Sequence, residues 1–111
     1  TVQDARWDVY QRGVDFIQKY IFPGGMLPSP SVLRTEIETA GLNVVRSLEF
    51  GESYSQTLRS WHDVFNGKWD QVAALGFDER FRRMWNFYLT SCAATFSTSN
   101  CDVMQITVTN R

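Results

Sequence analysis

The spacing of apolar and polar residues predicts helix, helix, strand, helix, helix and strand, in that order. Apolar side chains recur at three- and four-residue steps over residues 3 to 20, which predicts one helix, slightly weakened at Gly13. Ser29 and Pro30 are residue types favoured at a helix start, and Gly41 is typical of a helix end. A second helix is therefore expected between them.

Two later segments change to a two-residue period. In residues 42 to 50, one face is predicted to carry four apolar side chains, interrupted by Arg46: Leu42, Val44, Leu48 and Phe50. Residues 101 to 110 alternate and are rich in β-branched side chains. The two strands are expected to pair antiparallel. Because an isolated pair is marginally stable in water, we predict that they form the edge of a larger α/β sheet.

The helices between these strands show their own start and stop signals. Ser53 and Gln56 have the spacing of a capping box, and residues 66–67, Asn-Gly, predict a kink. Asp78 is expected to cap a long helix whose apolar face spans about five turns. Three tryptophans lie on these apolar stripes and are predicted to be core residues: Trp61, Trp69 and Trp85.

Composition excludes several classes of protein. The chain has 111 residues, 43% of them hydrophobic and 14% aromatic, which fits one folded domain and excludes disorder. Its net charge is -1 and no basic stripe is present, so nucleic-acid binding is not expected. No apolar run approaches the roughly 20 residues of a membrane span. The chain does not begin with Met, which indicates a processed start or part of a longer protein.

Thiols and imidazole give little support for a metal site. Cys92 is placed inside the last helix and Cys101 at the start of the last strand, where small buried thiols are common. His62 is the single histidine and has no Cys or acidic partner at ligand spacing. We therefore expect no metal, and interpret His62 as a helix-surface or satisfied core residue.

The loop at residues 20–29 has a defined shape rather than a flexible composition. It holds Pro23, Gly24 and Gly25 between apolar neighbours. A loop of this kind is either a buried connection between helices or the wall of a site, and composition alone favours the buried connection.

Four blocks of the sequence carry a family resemblance. In chain order they are Tyr20-Ile21-Phe22-Pro23-Gly24-Gly25-x-Leu27-Pro28-Ser29, Phe50-Gly51-x-x-Tyr54-x-x-Thr57-Leu58-x-x-Trp61, the segment 75–96 with Leu75-Gly76-Phe77-Asp78-Glu79-Arg80-Phe81, and Gln105-Ile106-Thr107-Val108. They resemble motifs of the cyclopropane-fatty-acyl-phospholipid synthases and the related mycolic acid cyclopropane synthases. The resemblance covers nearly the whole chain in the family's order.

The resemblance implies an S-adenosylmethionine-dependent enzyme with a Rossmann-type class I methyltransferase fold. Such enzymes transfer a methyl group to the double bond of an unsaturated acyl chain, and proton loss to bound bicarbonate then closes a cyclopropane ring. The family holds bicarbonate with a Cys, a Glu, a His and a Tyr. Only the Tyr has a match here, Tyr54; Cys92 and His62 do not match the family's ligands.

The resemblance also implies that residues 1–111 are one C-terminal fragment of the methyltransferase domain, with helices plus two edge strands. The cofactor-binding half and the other bicarbonate ligands are expected upstream of Thr1. The fragment alone is therefore expected to be inactive and to bind no cofactor.

Four residues are the candidate site. Tyr54 is predicted to follow the Ser53 cap at a helix start, where the helix dipole favours an anion, and to donate its hydroxyl to bicarbonate. Spacing alone favours a different interpretation, in which Tyr54 is only the first residue of an apolar stripe; the family resemblance reverses that preference. Phe22, Gly25 and Leu27 are the candidate contacts with the acyl chain, because a lipid tail requires an apolar channel.

The expected partners are an unsaturated phospholipid acyl chain and the N-terminal half of the same enzyme. Exposed apolar surface is expected to cause self-association. The family implies a cytoplasmic location with peripheral contact to the inner membrane face. The arginines at 80, 82 and 83 are either headgroup contacts or, more simply, a solvated helix face. The alternative function is a free-standing, non-catalytic α/β module that binds a lipid or a partner.

Overall fold

A computed structural model describes residues 1–111 as a two-stranded sheet with helices before and between the strands. The elements are a 3-10 turn Asp4–Arg6, α1 (Trp7–Arg12), a π-helical turn Ile17–Ile21, α2 (Pro30–Thr39), β1 (Leu42–Glu49), α3 (Gly51–Gly67), α4 (Trp69–Ala74), α5 (Glu79–Ser97) and β2 (Met104–Asn110). The predicted order is confirmed from α2 onward. The long N-terminal helix is not.

The predicted helix over residues 3 to 20 is broken in the middle. α1 ends at Arg12, Gly13 is extended at its cap, and a short π-helical turn resumes at Ile17. Asp15 and Gln18 form a reciprocal pair there, because the Gln18 N–H donates to Asp15 Oδ1 (2.8 Å) and the Asp15 N–H to Gln18 Oε1 (3.0 Å). This local capping box begins a new helical turn, so Gly13 ends the helix rather than slightly weakening it.

Two of the three predicted helix caps are confirmed. The Ser29 side chain accepts a hydrogen bond from the Val32 N–H, with Pro30 at the first helical position. The Asp78 carboxylate accepts one from the Phe81 N–H at 2.9 Å. The break expected at residues 66–67 is also present, because α3 ends at Gly67 and α4 begins at Trp69.

The predicted cap at Ser53 is wrong. α3 begins two residues earlier, at Gly51, and its flanking residue Phe50 makes no side-chain cap. The acceptor comes instead from Asp102, whose Oδ1 atom accepts a hydrogen bond from the Gly51 N–H at 2.8 Å. A partner 51 residues away supplies the cap, which is why the local pattern at Ser53 does not locate the helix start.

The strands pair antiparallel as predicted, but β1 contains a bulge at Val45. Before it, Val44 lies opposite Val108; after it, Ser47 lies opposite Ile106. The extra residue reverses the side on which later side chains lie. Leu48 therefore does not share a face with Val44, as the alternation suggested, and its side chain is 48% exposed.

One face of this sheet is partly covered by α2 and the other is open. Residues at the start of α2 approach the face that carries Val44, Ser47 and Ile106. The opposite face carries Leu48 and has no helix packed on it. Cys101, expected to start the strand, lies just before β2 and forms an isolated bridge with Val2.

The core is small and lies between α3 and α5. Four residues form it, Leu58, Leu89, Cys92 and Ala93. The chain exposes 7680 Å² of surface, whereas a folded monomer of 12.8 kDa exposes about 6,300 Å². Its radius of gyration is 16.8 Å, against about 13 Å for a compact domain of this length. The fold thus leaves an unusual amount of apolar surface uncovered.

Stability is expected to depend on the α3–α5 contact. We predict that Leu89→Ala lowers the free energy of unfolding by about 2–5 kcal/mol, because Leu89 is only 2% exposed and its loss leaves a cavity. Leu75→Ala is the matched control, since Leu75 is 78% exposed and its loss is expected to cost less than about 0.5 kcal/mol. Urea unfolding followed by circular dichroism measures both; equal losses would contradict the assignment of the core.

Candidate functional site

A cavity of about 710 Å³ lies where the N-terminal segment, the loop at 20–29, α3 and α5 meet. Of its 21 lining residues, 14 are hydrophobic. A concave, mostly apolar space of this size with a few polar groups on its wall is typical of a small-molecule site. The cavity is therefore the candidate site of the chain.

The structure brings the four candidate residues together on the wall of this cavity. Phe22, Gly25 and Leu27 come from the loop, and Tyr54 comes from α3. The loop lines the cavity and is not the buried connection that composition favoured, because Phe22 is 56% and Leu27 44% exposed.

Local backbone geometry fixes the shape of the loop. Gly24 has φ +78, a conformation that side chains rarely allow, and the Gly25 N–H closes a turn onto the Phe22 carbonyl oxygen at 2.9 Å. A methyl group at Gly25 would lie 3.0 Å from that same oxygen. The turn presents Phe22 edge-on to the ring of Tyr88, with centroids 6.2 Å apart.

A second contact joins the loop to the N-terminal segment. The Leu27 N–H donates a hydrogen bond to the Tyr10 hydroxyl oxygen at 2.9 Å, and the Val2 N–H donates to the Pro28 carbonyl oxygen at 3.1 Å. These bonds connect the loop to residues that form other parts of the cavity wall, so the wall is continuous across both segments.

The surroundings of Tyr54 are compatible with both alternatives that the sequence left open. Its ring packs edge-on against Phe96 (centroids 4.9 Å apart) and Trp61 (5.9 Å), as expected for an apolar stripe. Its hydroxyl makes no hydrogen bond within the chain and is not a fully buried atom, and the residue lines the cavity. Burial, with a smaller contribution from Cys92, raises the pKa of the phenol, so the group remains a neutral hydrogen-bond donor.

The expected anion site at the helix start is not at Tyr54 itself. Because α3 begins at Gly51, Tyr54 is its fourth residue, and the Tyr54 N–H already donates to the Phe50 carbonyl oxygen at 3.1 Å. Its contribution to a ligand would therefore come from the hydroxyl rather than from its backbone amide.

Sequence reasoning missed several further polar groups on the cavity wall, among them Tyr88 and Cys92. Burial is the main cause that raises the pKa of the Tyr88 phenol, and neighbouring Cys92 and Tyr54 add to it. Burial likewise raises the pKa of the Cys92 thiol to about 11. Their spacing of four residues on α5 places them on one helix face. The apolar residues of that face have the same spacing, so the sequence does not distinguish the two groups from core residues.

Other residues singled out in the sequence lie outside the cavity. His62 contacts its neighbour Asp63 at 3.2 Å, and Arg82 lies over the Trp69 ring at 5.1 Å. Trp61 was expected in the core but is 49% exposed. No group of three or more His, Cys, Asp or Glu residues is placed to bind a metal ion. None of the helices combines the length and the apolar character needed to cross a membrane.

The chain has the fold of part of a Rossmann-type, S-adenosylmethionine-dependent methyltransferase, as predicted. The solved mycolic acid cyclopropane synthase CmaA1, in complex with SAH and CTAB, superposes with a TM-score of 0.78 at 30% identity and covers 94% of this chain. The cyclopropane synthase MmaA2 from Mycobacterium tuberculosis gives 0.79 at 26% identity and covers 91%.

Sequence comparison agrees with this class. The family model described as mycolic acid cyclopropane synthetase matches residues 1–106. The tuberculostearic acid methyltransferase UfaA1 of Mycobacterium tuberculosis is 43% identical over 94 residues, or 84% of this chain. The cyclopropane-fatty-acyl-phospholipid synthase of Escherichia coli K12 is 34% identical over 93 residues, or 82% of it. The chain belongs to the mycolic acid cyclopropane synthetase family.

The chain spans only part of the proteins that it matches. It covers 22% of UfaA1 and 23% of the Escherichia coli synthase, and 35% and 34% of the two solved chains. The residues described here thus correspond to one portion of a larger family fold.

The thiol on the cavity wall is expected to be unreactive. A shift of the Cys92 pKa from 9.0 to about 11 lowers the thiolate fraction at pH 8 by about 100-fold, and the thiolate is the nucleophile. In a Cys101→Ser variant, we predict slow reaction of Cys92 with Ellman's reagent at pH 8 and acceleration as pH rises toward 11. The same variant in urea is the control, and equal rates in the folded and unfolded states would contradict the prediction.

Proposed function

We propose that this chain is the C-terminal part of a methyltransferase that transfers a methyl or methylene group from S-adenosylmethionine to the double bond of an unsaturated fatty acyl chain. The observation that carries the proposal is the mostly apolar cavity that collects the motif residues of the loop and of α3. Its family membership supports the same reaction class.

The apolar wall fits the acyl chain. Phe22 and Leu27 present exposed apolar surface toward the cavity, and Gly25 allows the tight turn that holds Phe22 in place. Covering this surface with a hydrocarbon chain is favourable because it removes apolar area from water. The names of two relatives support lipid substrates: one is a tuberculostearic acid methyltransferase and another a fatty-acyl-phospholipid synthase.

The Tyr54 hydroxyl fits a small anion such as bicarbonate. It is a neutral donor without a partner in the chain, and a phenol with a raised pKa binds an anion without introducing a competing charge. An oriented donor and an anion in an apolar, water-poor space stabilise developing positive charge on the substrate more strongly than they would in water. Bound bicarbonate would supply the base that accepts the proton on ring closure.

S-adenosylmethionine would be held by residues outside this chain. The 111 residues contain no Gly-rich phosphate-type loop after a strand. The SAH complex of CmaA1 supports the cofactor class, and the small share of each relative that the chain covers supports a separate N-terminal half.

The open surfaces support two further partner assignments. The uncovered sheet face and the exposed side chains around the cavity are expected to pack on the N-terminal half, and on other copies of the chain when that half is missing. A phospholipid substrate requires contact with the membrane surface, so a peripheral membrane association at the cytoplasmic face belongs to the same proposal. A free-standing binding module is less well supported, because the chain matches a fraction of each relative rather than a separate domain family.

Replacing the Tyr54 hydroxyl tests the catalytic part of the proposal. In the full-length parent enzyme, Tyr54→Phe is expected to lower kcat by about 10-fold or more, a scale typical for the loss of one oriented donor. The ring and its contacts with Phe96 and Trp61 are retained, so folding is expected to be unchanged. Turnover of an unsaturated phospholipid with labelled S-adenosylmethionine measures the effect.

Tyr20→Phe is the matched control for that experiment. Tyr20 is 52% exposed and does not line the cavity, so the same loss of an oxygen there is expected to leave kcat within about two-fold. If Tyr54→Phe turns over as fast as Tyr20→Phe, Tyr54 has no role in the reaction.

Measurements on the isolated 111-residue chain test whether the cofactor site lies in the other half of the enzyme. Titration calorimetry is expected to show no binding of S-adenosylmethionine, because the cofactor residues lie in the other half. Light scattering is expected to show self-association that increases with concentration, because apolar surface and strand edges remain open. Micromolar cofactor affinity, or a strict monomer at high concentration, would contradict the assignment of the missing half.

A further inference from the structure

One carboxylate joins the start of α3 to the start of the last strand. Asp102 Oδ1 accepts a hydrogen bond from the Gly51 N–H at 2.8 Å and another from the Val103 N–H at 2.8 Å. Next to it, the Phe50 N–H donates to the Val103 carbonyl oxygen at 2.9 Å. Two segments that lie half the chain apart are therefore fixed to each other at this point.

Gly51 and Asp102 fit closely. Gly51 is buried, and a methyl group built on it would lie 2.5 Å from Asp102 Oδ1 and 3.2 Å from the Asp102 Cα atom. Contacts of 2.5 Å are not tolerated between these atoms, so the carboxylate approaches the helix start only because residue 51 lacks a side chain. A side chain at position 51 of the Phe50-Gly51 motif would collide with Asp102, which is a steric reason for the glycine.

The anchored helix start leads directly to Tyr54. Tyr54 follows Gly51 by three residues, a rise of about 4.5 Å along the helix. Its N–H donates to the Phe50 carbonyl oxygen, so the first turn transmits the position of residues 50 and 51 to residue 54. One residue later, the buried Ser55 hydroxyl donates to the Ala93 carbonyl oxygen at 2.7 Å and fixes the helix against α5.

The Tyr54 side chain itself has no hydrogen bond that would fix its hydroxyl. The position of the hydroxyl therefore depends on the backbone that carries Tyr54 and on ring packing with Phe96 and Trp61. Small displacements of a reacting group, of about 1 Å, lower rates by up to about 100-fold.

We propose that Asp102 is a positioning residue for the reaction, which fixes the first turn of α3 and thereby directs the Tyr54 hydroxyl into the cavity. This inference rests on the role proposed for Tyr54. The carboxylate acts as a hydrogen-bond acceptor for two backbone N–H groups, and its charge is not required.

The first test compares two variants of Asp102 in the full-length parent enzyme. Asp102→Ala removes both accepted bonds and is expected to lower kcat by about 10-fold, with KM for the acyl substrate and for S-adenosylmethionine within about two-fold. Asp102→Asn keeps an oxygen that accepts the same two bonds, so its kcat is expected within about two-fold of the wild type. Equal impairment of the two variants, or an unimpaired Asp102→Ala, would overturn the proposal.

The second test asks whether Asp102 acts through Tyr54. In a Tyr54→Phe background, Asp102→Ala is expected to lower kcat by less than about two-fold further, while the decrease in melting temperature is the same in both backgrounds. A general loss of stability would instead lower kcat by the same factor in both backgrounds, and that result would overturn the proposal.

The comparison of Asp102→Ala in the wild-type and Tyr54→Phe backgrounds separates this inference from the proposed function. If Tyr54→Phe is fully active, both the role of Tyr54 and that of Asp102 are excluded. If Tyr54→Phe is impaired and Asp102→Ala lowers kcat by the same factor in both backgrounds, only the role of Asp102 is excluded. Should Asp102→Ala fail to fold, Gly51→Ala displaces the carboxylate without removing it, and the same non-additivity with Tyr54→Phe is expected.

Discussion

The close packing of α3 on α5 is the contact on which the rest of this chain depends. Leu58 on α3 and Leu89 on α5 are 1% and 2% exposed, and small residues such as Ala93 allow the helices to approach. The buried hydrogen bond from the Ser55 hydroxyl to the Ala93 carbonyl oxygen, at 2.7 Å, fixes their register. The same two helices carry the phenols and the thiol of the cavity wall, so the core and the site share one interface.

This arrangement explains why three of the polar groups on the cavity wall are uncharged. Tyr54, Tyr88 and Cys92 lie where the helix interface opens into the cavity, and burial is the largest cause that raises each pKa. Desolvation disfavours the charged form of all three groups, so the wall offers neutral donors inside an apolar space. The same wall also carries Arg6 and Asp15, so the uncharged donors occupy the part of it that α3 and α5 form.

The sequence predicts those parts of the fold whose determinants are local. Ser29 and Asp78 cap their helices through bonds to residues three positions later, and both caps are present. The start of α3 was misplaced because its acceptor, Asp102, is distant in sequence. The bulge at Val45 and the break after Arg12 were missed because helical and strand periodicity assume an uninterrupted repeat. Both errors concern single residues that interrupt otherwise regular patterns.

The candidate site likewise depends on residues that are distant in sequence. No local pattern connects Phe22 with Tyr54; only the family resemblance predicts that the two lie near each other, and both line the cavity. Tyr88 and Cys92 were read only as part of an apolar helix face, because a phenol or a thiol on such a face looks like a core residue until the neighbouring helix is in place. The contribution of a core-like side chain to a cavity is a property of tertiary structure.

The bulge in β1 changes which residues of the strand share a face of the sheet. Strand residues alternate between two sides, so one inserted residue, Val45, exchanges odd and even positions for the remainder of the strand. Deleting that residue would turn Leu48 toward α2 and move Ser47 to the open side. An alignment that treats this position as an ordinary gap would therefore assign every following side chain of the strand to the wrong surface.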